Sequence, residues 1–418
     1  MTGARTRLEL FVGKGGVGKT TLACATAMAY VRAGERVLIA SLDQAHSLGD
    51  ALGFRFAHDA GTVPGITGVA PGLDVIELDS LALLEDRFRE VVRVLDTGGG
   101  HDHGIDLAAL DPAELTGLPG VQELLMLVEV AQLVEEDEWD VLVLDCPPTA
   151  DMMRILTAPD TLLGYVERVW PPHARAMSAA GVDLRRAVLA ATVDRIVATV
   201  TAVRDLLADH GRTGARLVTV AERVAIAEAE RVRSGAALLG LRVDEIVVNK
   251  ALAPVPPPSG PAEHPAVHWY LGRRAEQLEV IARLRDAAGE VPVVITAHTG
   301  REPVGLDSLS ALSYAVRARP MLVDNPAEAR ASSGEPVVRW ESGAGLHSVY
   351  TMRMPLPVAD PATLRLGRVE DDLIVGADGV RRRVRLAPVL QRCTVEGAEL
   401  DGDRLVVRFR PDPRLWPR

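Results

Sequence analysis

The eight residues Gly13-Lys14-Gly15-Gly16-Val17-Gly18-Lys19-Thr20 narrow the choice of fold more than any other part of the chain, because of what flanks them. They follow the apolar run Leu8–Val12 and precede a stretch of helical spacing, Thr20–Ala33. Four glycines in one short connection permit backbone turns that a Cβ forbids. A strand that passes through such a turn directly into a helix is the opening unit of a parallel α/β sheet. Runs rich in Val, Ile and Leu recur at Arg36–Leu42, Asp74–Leu78, Asp140–Asp145, Leu217–Ala221, Asp244–Asn249 and Val291–Thr296, with longer helical stretches between them. Alternation of this kind predicts a mostly parallel, doubly wound sheet covered on both faces, with ligands held at the carboxyl ends of the strands.

The order G-x-x-x-x-G-K-T between a strand and a helix is the phosphate cradle of P-loop nucleoside triphosphatases. Its backbone N–H groups curl round a β-phosphate, and the helix N-terminus adds the positive end of its dipole. Lys19 is expected to bridge the β- and γ-phosphates, Thr20 to bind Mg²⁺ and Thr21 to reach the α-phosphate. Asp145 ends the strand VLVLD, so its carboxylate emerges beside the cradle at the Walker-B position. The turn Cys146-Pro147-Pro148-Thr149 suits a segment that senses the γ-phosphate. Asp43 and Asp50 follow the second strand; one is suited to orienting the attacking water and the other to holding a water of Mg²⁺, unless either merely caps a helix. ATP and Mg²⁺ are thus the expected cofactors and ATP hydrolysis the expected reaction.

Lysine usage adds a second argument. The chain carries only three lysines, Lys14, Lys19 and Lys250, while arginine supplies nearly all other positive charge. Two of them fall inside the cradle, where a compact point charge is needed. Lys14 is poorly placed for the nucleotide of its own loop. It is either a solvated surface residue or, in a homodimer, a cation that reaches the phosphates of the facing subunit as an arginine finger does.

A net charge of −11 argues against a general nucleic-acid binder. No apolar run reaches the roughly 18 residues of a membrane span, and the first residues lack the apolar core of a secretory signal. The expected location is therefore cytoplasmic, with at most transient membrane association through a partner. Cys24, Cys146 and Cys393 are odd in number and far apart, so neither a disulfide framework nor structural zinc is expected.

Two stretches interrupt the β/α rhythm with helical pattern alone, about 81–134 and 152–209, and are expected to form a helical subdomain, unless they are ordinary helical cover of excess length. Residues 326–336 have the composition of a linker between an ATPase domain, 1–325, and a last domain, 337–418. In that last domain Ser348–Met354, Thr363–Val369, Leu373–Val375, Val380–Leu386 and Arg404–Phe409 are short, alternating and separated by Gly or Asp turns, which predicts a small all-β sandwich.

Together KGGVGKTT, SLDQAHSLGD, DCPPTADMMR and VVNK resemble the family of the arsenite-pump ATPase and the guided-entry ATPase that targets tail-anchored membrane proteins, over residues 8–325. The resemblance implies that Lys14 is the signature lysine acting across a dimer, that Asp50 positions the hydrolytic water, and that Asp145 is the Walker-B carboxylate. It also implies that Asn249 binds adenine and that Glu222 contacts nucleotide. The second switch departs from the family, reading Thr149-Ala150-Asp151 where Thr-Gly-His is usual, and the zinc-clamping CxxC of the eukaryotic targeting factors is absent. The tail, with YTMRMPLP, DDLIVGADGVRRRVRLAPVL and AELDGDRLVVRF, resembles the α-crystallin domain of small heat-shock proteins. The implied function is a nucleotide-switched homodimeric chaperone or targeting ATPase, with helices around Met126, Met152, Met153 and Met177 forming an apolar groove for hydrophobic client segments. The alternatives are an energy-coupling subunit of an anion or metalloid efflux system and a partition or septum-positioning ATPase.

Overall fold

The computed structural model describes residues 5–43, 47–56, 65–96, 120–180, 184–255, 264–316, 336–357 and 360–416. Two compact units divide the chain, Met1–Leu206 with Thr299–Met321, and Leu207–His298 with Leu322–Arg418.

In the first unit the strands β1 (Arg7–Gly13), β2 (Val37–Ser41), β3 (Thr67–Ala70), β4 (Leu73–Glu77) and β5 (Val141–Asp145) stand in the order β3-β4-β2-β5-β1. All pairs are parallel except β3 with β4. β2 and β5 are buried along their whole length, as apolar strands covered on both faces must be. The helices of this unit are α1 (Lys19–Arg32), α2 (Ser47–Leu52), α3 (Ser80–Asp96), α4 (Val121–Glu135), α5 (Thr149–Val169), α6 (Pro172–Ala179), α7 (Leu184–Ala208) and α10 (Leu306–Ser313). The described residues of 81–134 and 152–209 hold helices with short connections and no strand.

The second unit holds three parallel strands, β6 (Thr213–Val220), β7 (Val243–Ala251) and β8 (Val293–Ala297), with α8 (Arg223–Leu239) and α9 (Pro265–Ala288). The same unit contains two antiparallel sheets. One is ordered β14-β15-β10-β9, from β9 (Val337–Ser342), β10 (Val349–Pro355), β14 (Cys393–Asp401) and β15 (Arg404–Pro411). The other is ordered β11-β12-β13, from β11 (Arg365–Val369), β12 (Asp372–Ala377) and β13 (Val380–Arg385). Their shared core includes Met352, Met354, Leu373, Val375, Leu405 and Phe409, and it takes in Leu238 from the end of α8. Arg382 donates to the Leu238 carbonyl at 3.0 Å, closing the C-terminus of α8 with a cation. The expected linker, 326–336, lies outside the described residues up to 335.

All seven strands expected from the β/α rhythm are present. Among the described residues three strands are additional: β3, only four residues long, and the sheet-edge strands β9 and β14, which are exposed over most of their length. Edge strands with polar sequence carry no buried alternation by which to be read.

Candidate functional site

At the end of β1 the chain needs a turn that no residue with a Cβ adopts comfortably. Gly16 and Gly18 have φ of 79° and 93°, and Gly18 stands at the N-cap of α1 without any side-chain cap. The first turn of α1 contains no acidic residue, so no carboxylate of that turn offsets the positive end of the helix dipole. Lys19 is buried, and its ammonium donates to the Lys14 carbonyl at 3.1 Å, holding the loop curled. Val17 is buried, whereas Lys14 is exposed.

Strand register decides which carboxylate faces this loop. Asp145 pairs with Phe11 on β1 and with Ser41 on β2, so the last residue of β5 stands level with the entrance to the cradle. The Thr20 hydroxyl donates to Asp145 Oδ2 at 2.7 Å and lies 3.1 Å from the Ser47 hydroxyl. Ser47 in turn donates to Asp43 at 3.4 Å. Asp145 is fully buried, and its Oδ1 has no hydrogen-bond partner. Burial pushes its pKa up to about 7, against the Thr20 hydrogen bond and the Lys19 charge, which lower it; the Asp43 charge raises it further. A buried carboxylate with an open oxygen, beside two hydroxyls and a second carboxylate, is an oxygen set suited to a small hard cation. Pro148 of the following turn approaches within 3.9 Å of where a Cβ on Gly15 would stand, so the cradle and that turn share one rim.

Asp50 lies exposed on α2, and Thr21 is half-buried in the first turn of α1. Asn249 and Glu222 belong to the second unit. Asn249 is buried near the carboxyl end of β7, its Oδ1 accepting from the Lys250 N–H at 2.9 Å. Glu222 precedes α8 and pairs with Arg273 at 3.2 Å. Two residues of the first-unit site did not stand out in the sequence. Ser47 lies within the stretch SLDQAHSLGD, but its tie to Thr20 depends on how α2 packs. Glu77 is a buried acidic residue that closes the apolar run Val75-Ile76 at the carboxyl end of β4, and that placement is the available signal.

The helices α5 to α7 show a different chemistry. Tyr165, Val169, Met177, Val188, Leu189 and Ile196 are all exposed, Met177 to 75%. The groove expected around four methionines is corrected in its membership: Met126 and Met152 are buried, and Met153 is half-buried. A cleft of about 260 Å³ opens between α4, α5 and the loops after β2 and β5, lined by Asp43, Glu123, Met126, Pro147, Asp151 and Arg154 among others. No helix among the described residues is long and apolar enough to cross a membrane.

Residues 6–317 match the family model of anion-transporting ATPases, and residues 347–409 that of the HSP20-like domain found in ArsA. The chain is 46% identical to Protein Rv2184c of Mycobacterium tuberculosis, over 100% of its own length and 99% of the relative's. It is 25% identical to a putative arsenical pump-driving ATPase 1 of Aquifex aeolicus, over 96% and 99%. It is 28% identical to an ATPase GET3 of Malassezia globosa, over 71% and 88%.

Proposed function

The chain belongs to the anion-transporting ATPase family and is an ATPase, and from that premise we propose that it works as a Mg²⁺-dependent, nucleotide-switched homodimer that captures hydrophobic client segments. The observation that carries the client reading is the set of exposed apolar side chains on α5 to α7, Tyr165, Val169, Met177, Val188, Leu189 and Ile196. Soluble surfaces seldom leave so many large apolar groups on neighbouring helices without a partner, and an exposed methionine adapts to apolar segments of differing shape.

In this reading the backbone of Gly13, Gly15, Gly16, Val17 and Gly18 wraps the phosphates, with Lys19 neutralising their charge and Thr21 reaching the α-phosphate. Thr20 and Asp145 hold Mg²⁺, directly or through water, and Asp43 holds one of its waters; the open Oδ1 of Asp145 supports the fit. When bound, Mg²⁺ supplies charge stabilisation on the phosphoryl oxygens. Asp50 orients the attacking water, and Asn249 and Glu222 contact the base side of the nucleotide. Lys14, exposed at the rim, adds its ammonium to the phosphates of the facing subunit, so that turnover requires the dimer.

The test is capture. The full chain with Mg²⁺ and a non-hydrolysable ATP analogue is mixed with a peptide bearing one apolar membrane-span sequence, and the complex is weighed by light scattering. One peptide per dimer is expected, lost in V169D/L189D while ATP turnover persists; absence of any complex rejects the client reading. K14R is expected to retain ATP binding with turnover lowered about tenfold or more, since Arg and Lys are not equivalent at a point-charge site.

The efflux alternative predicts that arsenite stimulates turnover. Against it, all three thiols are buried, and burial raises the pKa of each, the opposite of what a thiolate ligand set needs.

A further inference from the structure

Asp50 stands on a helix too short to hold itself. An isolated six-residue α2 cannot supply enough internal hydrogen bonds to persist in water, and its early N–H groups have no helical partner. What fixes it lies elsewhere in the fold. Glu77, the last residue of β4, pairs in register with Ser41 of β2, which itself pairs with Asp145 of β5. Its side chain is buried, and Oε1 accepts the Gly49 N–H at 3.0 Å. That bond holds the amide immediately before Asp50, one of the early α2 N–H groups that have no helical partner.

Gly49 is held there from its other side as well. A Cβ on it would stand 2.8 Å from the Phe54 carbonyl oxygen, so the chain leaving α2 folds back against the same residue, and the Phe54 N–H donates to the Gly49 carbonyl at 3.0 Å. The far end of α2 is tied separately. The Gly305 N–H donates to the Ala51 carbonyl at 2.9 Å, and α10, which follows Gly305, is anchored to α1 where Arg32 donates to the Ser313 carbonyl at 3.0 Å. The Arg32 guanidinium also lies 4.1 Å from the centre of the Tyr314 ring.

We propose that Glu77 is a positioning residue for ATP hydrolysis: its carboxylate fixes the Gly49 amide, and through it sets where Asp50 places the attacking water. The proposal rests on the reading of Asp50 given above. Reach, rather than charge, is the property that matters, because the bond is made by one oxygen at one distance.

The experiment measures kcat and KM for Mg-ATP with the full chain. E77D withdraws the carboxylate by about one bond, roughly 1.5 Å, and is expected to lower kcat about tenfold while KM stays within about twofold, since misplacement of this size disrupts attack geometry. E77Q keeps an acceptor oxygen at full reach and is expected to keep kcat within about twofold of the unaltered protein. In a D50N background E77D is expected to lower kcat no further, because both act through one group.

A full-rate E77D beside a slow D50N overturns the proposal alone, as does an equal E77D loss in both backgrounds or an E77Q as slow as E77D. A full-rate D50N overturns the reading of Asp50, and this proposal with it. Should E77D melt below the assay temperature, hydrogen exchange of the Gly49 amide in the unaltered protein decides: protection supports the tie, and exchange at the rate of an open amide overturns it.

Discussion

Asp145 in the first unit and Glu245 in the second are both carboxylates on buried strands, and the groups that face them differ. Glu245 at the start of β7 meets the Arg216 guanidinium at 3.0 Å, with both side chains buried. Asp145 at the end of β5 meets a hydroxyl, keeps one oxygen without a partner, and is driven up to about 7 by its burial. A guanidinium of the chain answers Glu245, whose Oε2 also lacks a hydrogen-bond partner, whereas Asp145 bonds a hydroxyl and retains capacity for a cation from outside. A buried carboxylate paired with a guanidinium ties strands together, whereas one pushed up by burial at the carboxyl end of a strand is a candidate for chemistry.

The largest expected effect tests the architectural half. R216M leaves Glu245 buried without its cation and should cost about 3–5 kcal/mol of stability, read as the shift in a urea unfolding midpoint. Turnover per folded molecule should not change; a fall in kcat at full stability would break the comparison. Adding E245L to R216M should recover much of the loss, because removing both charges spares the burial of one alone.

Next comes D145N, which should lower kcat by about 10²–10³-fold, as loss of a charge that supports the transition state does elsewhere. Its effect on stability should run the other way. The folded pKa of Asp145 lies above its ordinary 3.8, so its contribution is fully present below that value and is lost as pH rises towards about 7. Without nucleotide, D145N should therefore melt above the unaltered protein at pH 8. An equal or lower melting temperature would mean that Asp145 is already answered within the chain.

The same linkage predicts a smaller effect in the unaltered protein. Nucleotide-free melting should fall by about 5–10 °C between pH 5 and pH 8 in the unfolding of the first unit, and saturating Mg-ATP should shrink that slope. An unchanged slope with Mg-ATP would place the titration elsewhere.

Smallest is R382A, which removes the cation closing α8 and should cost about 1 kcal/mol with kcat unaffected. A change in kcat would show that charges of the second unit also reach the chemistry.

Legibility in the sequence followed how local the physics is. The cradle was readable because backbone turns with positive φ at Gly16 and Gly18 demand glycine, and Asp145 because it ends an uninterrupted apolar strand. The strands β3, β9 and β14 were not readable, since their pairing depends on neighbours far along the chain rather than on their own pattern. Met126 and Met152 share helical apolar spacing with exposed Met177, and spacing alone does not separate a core face from a surface one.

By itself the sequence determined the glycine turn between β1 and α1, the alternation that makes a parallel sheet and the change to antiparallel strands near residue 337, because each is written in residues adjacent along the chain. Tertiary structure alone decided that Thr20, Ser47 and Asp145 meet, that Glu77 bonds to Gly49, and that Leu238 enters the β-sandwich core. Those contacts join elements far apart in sequence, and strand order and register, which no local pattern encodes, set their distances.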